Sequence, residues 1–147
     1  MEAARLLARL NSDPTPQDED EICAWIEADP RHGVAFARAE AAWDAAERLK
    51  LLRESTNPQA QFLWAIQRNA FHYVAVHLAD IAESAREVDL AMRWGFGMKQ
   101  GPFELWQEAG WLEVAQMVQE DIDAGKALSK APLPEWVFKG PVAEAGG

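Results

Sequence analysis

Asn57-Pro58-Gln59-Ala60-Gln61-Phe62-Leu63-Trp64-Ala65-Ile66-Gln67-Arg68-Asn69-Ala70-Phe71-His72-Tyr73-Val74-Ala75-Val76-His77-Leu78-Ala79-Asp80-Ile81 is the stretch on which the fold turns. Asn57 offers an N-cap acceptor, and Pro58 suits a first helical position, where its missing N–H has no partner to lose. Beyond them the apolar residues recur at helical spacing in two stripes. Phe62, Ile66, Tyr73, His77 and Ile81 form one; Leu63, Phe71, Val74 and Leu78 form the other. The spacing predicts a helix to about Glu83. A helix apolar on two sides needs cover on two sides. Another domain or a second copy of the chain is expected to supply it, the latter as a homodimer through residues 62–81.

Ser55-Thr56-Asn57-Pro58 also reads as a linker, so residues 55–59 divide the chain. On the N-terminal side, Leu6, Leu7 and Leu10 mark a short helix that stops at Asn11-Ser12-Asp13-Pro14. Thr15-Pro16-Gln17-Asp18 then places a hydroxyl at the cap, Pro at the first helical position and a carboxylate at the third. That opens a second helix with Ile22, Trp25 and Ile26 inward. Asp29 can cap a third helix from Pro30 to about Arg53, with Phe36, Ala39, Trp43, Ala46 and Leu49 inward. Glu40, Asp44, Glu47 and Arg48 fall on its other side. On the C-terminal side, short helices are expected at Glu87–Trp94, from Pro102 to Gly110, and from Trp111 to Ala124. Residues 141–147 are expected to be a flexible tail.

No period-two alternation competes with this pattern, so the fold class is all-α: about six to seven helices in two subdomains. The expected organisation is a helical binding module over 1–54, a linker over 55–59 and a second helical domain over 60–140. Composition agrees, with 49% hydrophobic and 26% charged residues, and seven Trp and six Phe against a single Tyr.

The formal charge is −10, and the 12 acidic and 7 basic residues of 1–60 are matched by 12 and 7 in 61–147. A field of that sign disfavours direct binding to nucleic acid or to an anionic membrane, and favours a basic protein surface; plain solubility is the alternative reading. Cys23 is the only cysteine, so an intrachain disulfide is excluded. It reads as a buried, inert thiol beside Trp25. No stretch reaches the length of a membrane span, and residues 1–10 lack a signal-peptide apolar run. A soluble cytoplasmic protein is expected.

Candidate chemistry is sparse. Gly95-x-Gly97-x-x-x-Gly101 lacks a preceding strand and a Lys-Ser/Thr ending, so it reads as a tight turn needing positive φ or close approach rather than as a phosphate loop. His72 and His77 are five residues apart and fall on different helix faces, which does not suit a shared metal. No nucleophile with its base can be assembled. No catalytic residue, cofactor or metal site is therefore expected. Asp18-Glu19-Asp20-Glu21 suits the first turn of a helix by charge alone. Its functional alternative is a contact for a basic partner, and the expected partner-binding residues are Asp18, Glu19, Glu21, Trp25, Glu40, Trp43, Asp44 and Glu47.

Ala8-Arg9-Leu10, Thr15-x-x-Asp18, Cys23-Ala24-Trp25-Ile26, Asp29-Pro30-Arg31-His32 and Ala35 to Glu40 with Trp43 resemble the cytoplasmic N-terminal domain of FecR-type anti-sigma regulators. That resemblance implies binding of an extracytoplasmic-function sigma factor. Leu6 or a neighbour stands where that family often has an early Trp, and no membrane span follows. Only the binding module is implied.

Residues 60–140 resemble a different family. Trp64-Ala65-Ile66-Gln67-Arg68-Asn69, Val88-Asp89-Leu90-Ala91-Met92-Arg93-Trp94-Gly95-Phe96-Gly97 and Gly101-Pro102-Phe103-Glu104-Leu105 are similar to the helical C-terminal domain of 3-hydroxyacyl-CoA dehydrogenases. In that family the domain packs on a dinucleotide-binding domain and forms much of a dimer interface. The catalytic His-Glu pair and the NAD fingerprint belong to that other domain. Asn69 matches an Asn near the family's active site, although the order here is Arg68-Asn69 rather than Asn-Arg. The resemblances together describe an apparent chimera.

The resulting expectation is a non-enzymatic acidic protein that binds and inhibits a basic cytoplasmic partner, as an anti-sigma factor does. One alternative is a small acidic inhibitor of another kind, an antitoxin or a phage-type anti-nuclease or anti-CRISPR protein, whose target is a toxin or nuclease. Another is a dimerising structural fragment of a 3-hydroxyacyl-CoA dehydrogenase without its NAD domain.

Overall fold

The fold is a computed structural model describing residues 2–12 and 14–146, the side chains of residues 41 and 42 excepted. Asp13, placed above in the turn after the first helix, and Gly147, placed in the tail, lie outside them. Among the described residues there are eight α-helices, one 3-10 turn and no strand. They are α1 (Glu2–Leu10), α2 (Pro16–Ala28), α3 (Pro30–Glu54), α4 (Pro58–Ile81), α5 (Ala85–Phe96), α6 (Pro102–Glu108), α7 (Trp111–Asp123) and α8 (Pro141–Ala145), with the 3-10 turn at Glu135–Val137. The class is all-α as expected. The helix beyond the expected six to seven is α8, which forms where a flexible tail was expected and buries Ala143. No helix among the described residues is long and apolar enough to cross a membrane.

The chain forms two compact units, residues 1–44 and 45–147. The expected junction at 55–59 is the non-helical step between α3 and α4, but the compact units divide ten residues earlier than Glu54, between Asp44 and Ala45. The reason is burial. Ala45 and Leu49 belong to the hydrophobic core of the second unit, with Leu52 packed against it.

The first unit has a small core of Leu6, Leu7, Ile22 and Phe36, with Leu10, Trp25, Ile26 and Ala39 packed against it. Its helix ends are set by local chemistry. The Asp18 backbone N–H donates to the Thr15 hydroxyl at 3.2 Å, and the Thr15 N–H donates back to the Asp18 carboxylate at 3.0 Å, a complete capping box. Asp29 accepts from the Arg31 backbone N–H at 2.8 Å, and the Trp25 indole stacks on the His32 ring with centroids 4.1 Å apart.

Two expectations fail in α2 and α3. Cys23 is exposed: it lies one residue from inward Ile22, about 100° around the helix. Trp43, expected inward, is 41% exposed. It lies about two turns beyond Phe36 on the same side of α3, and among the described residues the first core reaches no further along α3 than Ala39.

In the second unit the inner face of α4 is Trp64, Arg68, Phe71, Val74 and Ala75, and not Leu63, which is exposed. These pack with Phe103, Trp106, Trp111, Val114, Val118 and Val137 in one core. The indole N–H groups of that core are satisfied, as buried Trp requires. Trp106 donates to the Trp111 carbonyl and Trp111 to the Val137 carbonyl, both at 2.8 Å.

The string Asp89…Gly101-Pro102-Phe103-Glu104 has a geometric explanation. The Asp89 carboxylate accepts from the backbone N–H groups of Phe103 at 2.9 Å and Glu104 at 3.1 Å, capping α6 from the preceding helix, α5. A Cβ on residue 101 would overlap the Cα and Cβ of Asp89, so only Gly admits that approach. Gly97 ends α5 in the left-handed region at φ 66°. The glycine spacing thus serves a turn and a close contact.

Candidate functional site

The expected partner-binding residues lie on α2 and α3 and divide by how their charges are used. Asp18 and Glu21 are already engaged: the Arg9 guanidinium bonds to the Asp18 carboxylate, and lies 3.0 Å from Glu21. The Thr15 hydroxyl and then Arg9 hold the Asp18 carboxyl well below the usual carboxylate range. Both acids clamp α2 to α1. Trp25 is half-buried against the first core. Glu19, Glu40, Trp43, Asp44 and Glu47 are exposed. Glu40 stands three residues before Trp43 on the same side of α3, whereas Asp44, next in sequence, is turned about 100° away. Glu47 follows three residues on, past the division between the units.

The second unit holds a polar centre that the sequence did not reveal. Asp121 on α7 is 2% exposed. It accepts from the Trp64 indole at 2.7 Å, from Arg53 at 3.1 Å and from Arg68 at 3.2 Å. Burial alone would raise its carboxyl, but the hydrogen bonds from Trp64, Arg53 and Arg68 outweigh burial and hold it below its ordinary value. Arg68 spends another N–H on the Lys126 carbonyl at 2.7 Å. Every buried side-chain polar atom among the described residues has a partner. A charge group so completely paired orders a core.

Asn69 lies in a cleft of about 100 Å³ with His72, Tyr73, Val76, His77, Leu128 and Ser129. His72 donates from Nε2 to the Ala131 carbonyl at 2.7 Å, which fixes its ring. His77 approaches Asp80 at 3.7 Å, away from that bond. No group of three or more His, Cys, Asp or Glu side chains that could hold a metal occurs among the described residues.

A larger cleft of about 620 Å³ lies over α5 and α6. The aromatic walls are Phe103, Trp111 and Trp136, and α5 lines it with Arg86, Asp89, Leu90 and Arg93 at i, i+3, i+4 and i+7. Burial pushes the Asp89 carboxyl up. Arg93 pairs with Glu104 at 3.0 Å.

The outer stripe of α4 remains open. Phe62 is 65% exposed and Tyr73 58%, with Leu63, Ile66 and Ile81 about half exposed. Sequence spacing identified most of this stripe. It missed Arg53, Arg68 and Asp121, since an Arg or Asp in an amphipathic helix reads as solvent-facing until a buried partner is known.

Comparison with known proteins gives two likenesses. Residues 1–42 match the family model described as "Domain of unknown function (DUF4880)", a domain of the FecR N-terminal type. The chain is also 30% identical, over 103 residues or 70% of its length, to the "Probable 3-hydroxyacyl-CoA dehydrogenase" of Bacillus subtilis (strain 168). It spans about 12% of that relative's length. No solved structure matches the chain. The chain therefore resembles a FecR-type N-terminal domain at its start and a small part of a dehydrogenase over much of its length, consistent with a chimera.

Proposed function

We propose that the chain is a non-enzymatic, cytoplasmic binding protein that sequesters and inhibits a basic protein, with a sigma factor of the extracytoplasmic-function class as the partner. The match of residues 1–42 to a FecR N-terminal-type domain carries this reading. Trp43 supports it, since an exposed Trp among carboxylates suits an interface in which an aromatic anchor sits within a charged rim. Glu19, Glu40, Trp43, Asp44 and Glu47 are the available contacts; Asp18 and Trp25 shape the surface from within, and exposed Glu21 is held by Arg9. A toxin or nuclease with a basic surface would be recognised by the same chemistry.

The test is a pull-down of purified sigma factors of this class by the full chain, with Trp43→Ala and Glu40→Lys/Asp44→Lys variants beside it. The expected result is a complex that both variants weaken at least tenfold, and that weakens steeply with salt. No complex at micromolar concentration refutes the sigma-factor version.

A second reading rests on the open stripe of α4: a structural, dimerising role for the dehydrogenase-like region through residues 62–81. Phe62, Ile66, Tyr73 and Ile81 present a face with no charged side chain between Pro58 and Ile81 other than buried Arg68 and exposed Asp80. An uncharged patch suits self-association in a chain of net charge −10. Sedimentation of the full chain should show a dimer that Phe62→Lys/Tyr73→Lys dissociates. A monomer at high micromolar concentration refutes it.

A further inference from the structure

We infer that the cleft over α5 and α6 is a binding site for a small planar aromatic carboxylate. Its volume of about 620 Å³ falls within the range of small-molecule sites, about 300–1,000 Å³. Phe103, Trp111 and Trp136 lie within 6.5 Å of one another, centroid to centroid, along the Phe103–Trp111, Phe103–Trp136 and Trp111–Trp136 pairs. Leu78 and Leu90 add aliphatic walls. Phe103 and Trp111 are buried in the core and back this wall, while the partly exposed Trp136 ring offers a surface that suits a planar apolar body.

The charges of the lining select the sign. Asp89 is committed to the backbone of α6. Glu104 is committed to Arg93 at 3.0 Å and to the Gly101 N–H at 2.9 Å. Arg86 has no hydrogen-bond or ion-pair partner among the described residues, so the one uncommitted charge in the cleft lining is a cation. A guanidinium is planar and matches a carboxylate with two parallel hydrogen bonds. In a chain of net charge −10, an unpaired Arg beside an aromatic cleft is a local exception to the overall field. This inference is independent of the partner proposed for the first unit.

Calorimetric titration of the full chain with 1-naphthoate, and with 1-naphthylmethanol as its neutral counterpart, tests it. The expected result is saturable one-to-one binding of naphthoate, weakened about tenfold by Arg86→Gln, an exposed position at which the fold should be indifferent. The alcohol should bind more weakly and be insensitive to Arg86→Gln. Leu90→Trp should block both ligands by filling the cleft; thermal unfolding of that variant checks that it folds, and the Arg86→Gln pair decides if it does not. No saturable binding of naphthoate up to millimolar concentration, or equal naphthoate affinity in wild type and Arg86→Gln, overturns the inference.

Discussion

The two units solve stability in opposite ways. Residues 45–147 bury a broad aromatic core around a fully paired Asp121–Arg68–Arg53–Trp64 centre. Residues 1–44 have a core cluster of only four described side chains and rely on helix caps and on Arg9 bridging Asp18 and Glu21. A unit of that size is marginal by core alone, because too small a fraction of its surface is removed from water. The contrast teaches where function is easiest to place. The second unit spends its buried charges on itself, whereas the first leaves Trp43, Glu40 and Asp44 outward, and a partner covering them would add the burial it lacks.

The largest expected effect breaks the second unit from within. Asp121→Ala strands the Arg68 charge in the core, and should cost about 3–5 kcal/mol in urea or thermal unfolding of residues 45–147. A loss under 1 kcal/mol would mean that the centre is solvated and the contrast false. Next is Gly101→Ala, which forces a Cβ into Asp89 and should cost about 3 kcal/mol, the upper end for overpacking, with amide shifts gathered at the start of α6. A third change belongs to the first unit. Thr15→Ala removes the cap of α2 and should cost about 1 kcal/mol, seen as faster hydrogen exchange in residues 2–28 while the second unit stays protected.

The smallest effect is a pH dependence. Because the folded Asp18 carboxyl lies below its ordinary value of 3.8, its contribution is present above that value and is lost as pH falls through the lower folded value. Asp89 has the opposite sign. Its raised folded carboxyl costs stability once ionised, so acid relieves that cost. Following amide shifts on acidification below about pH 4 should show α1 and α2 loosening in wild type. Asp18→Asn should lack that acid limb.

How much of this was legible in the sequence follows from how far each interaction reaches. Thr15 with Asp18, and Asn57 with Pro58, are local, and both caps form where the sequence placed them. The need of Gly101 for close approach was also legible, although its neighbour Asp89 was not. The Arg68–Asp121 pair spans 53 residues, and no helical period reports a partner that distant. Trp43 misled for a related reason: its spacing from Phe36 is that of an inward residue, but the small first core ends before reaching it. The cleft over α5 and α6 draws on residues from Leu78 to Val142, and so emerges only from the packing.

The most direct test is an amide-resolved titration of the full chain with a purified extracytoplasmic-function sigma factor. The account predicts saturable shifts concentrated in α2 and in α3 around Glu40–Asp44, abolished by Trp43→Ala, with residues 60–140 unmoved. Shifts confined to residues 60–140, or none at a hundred micromolar partner, would contradict it.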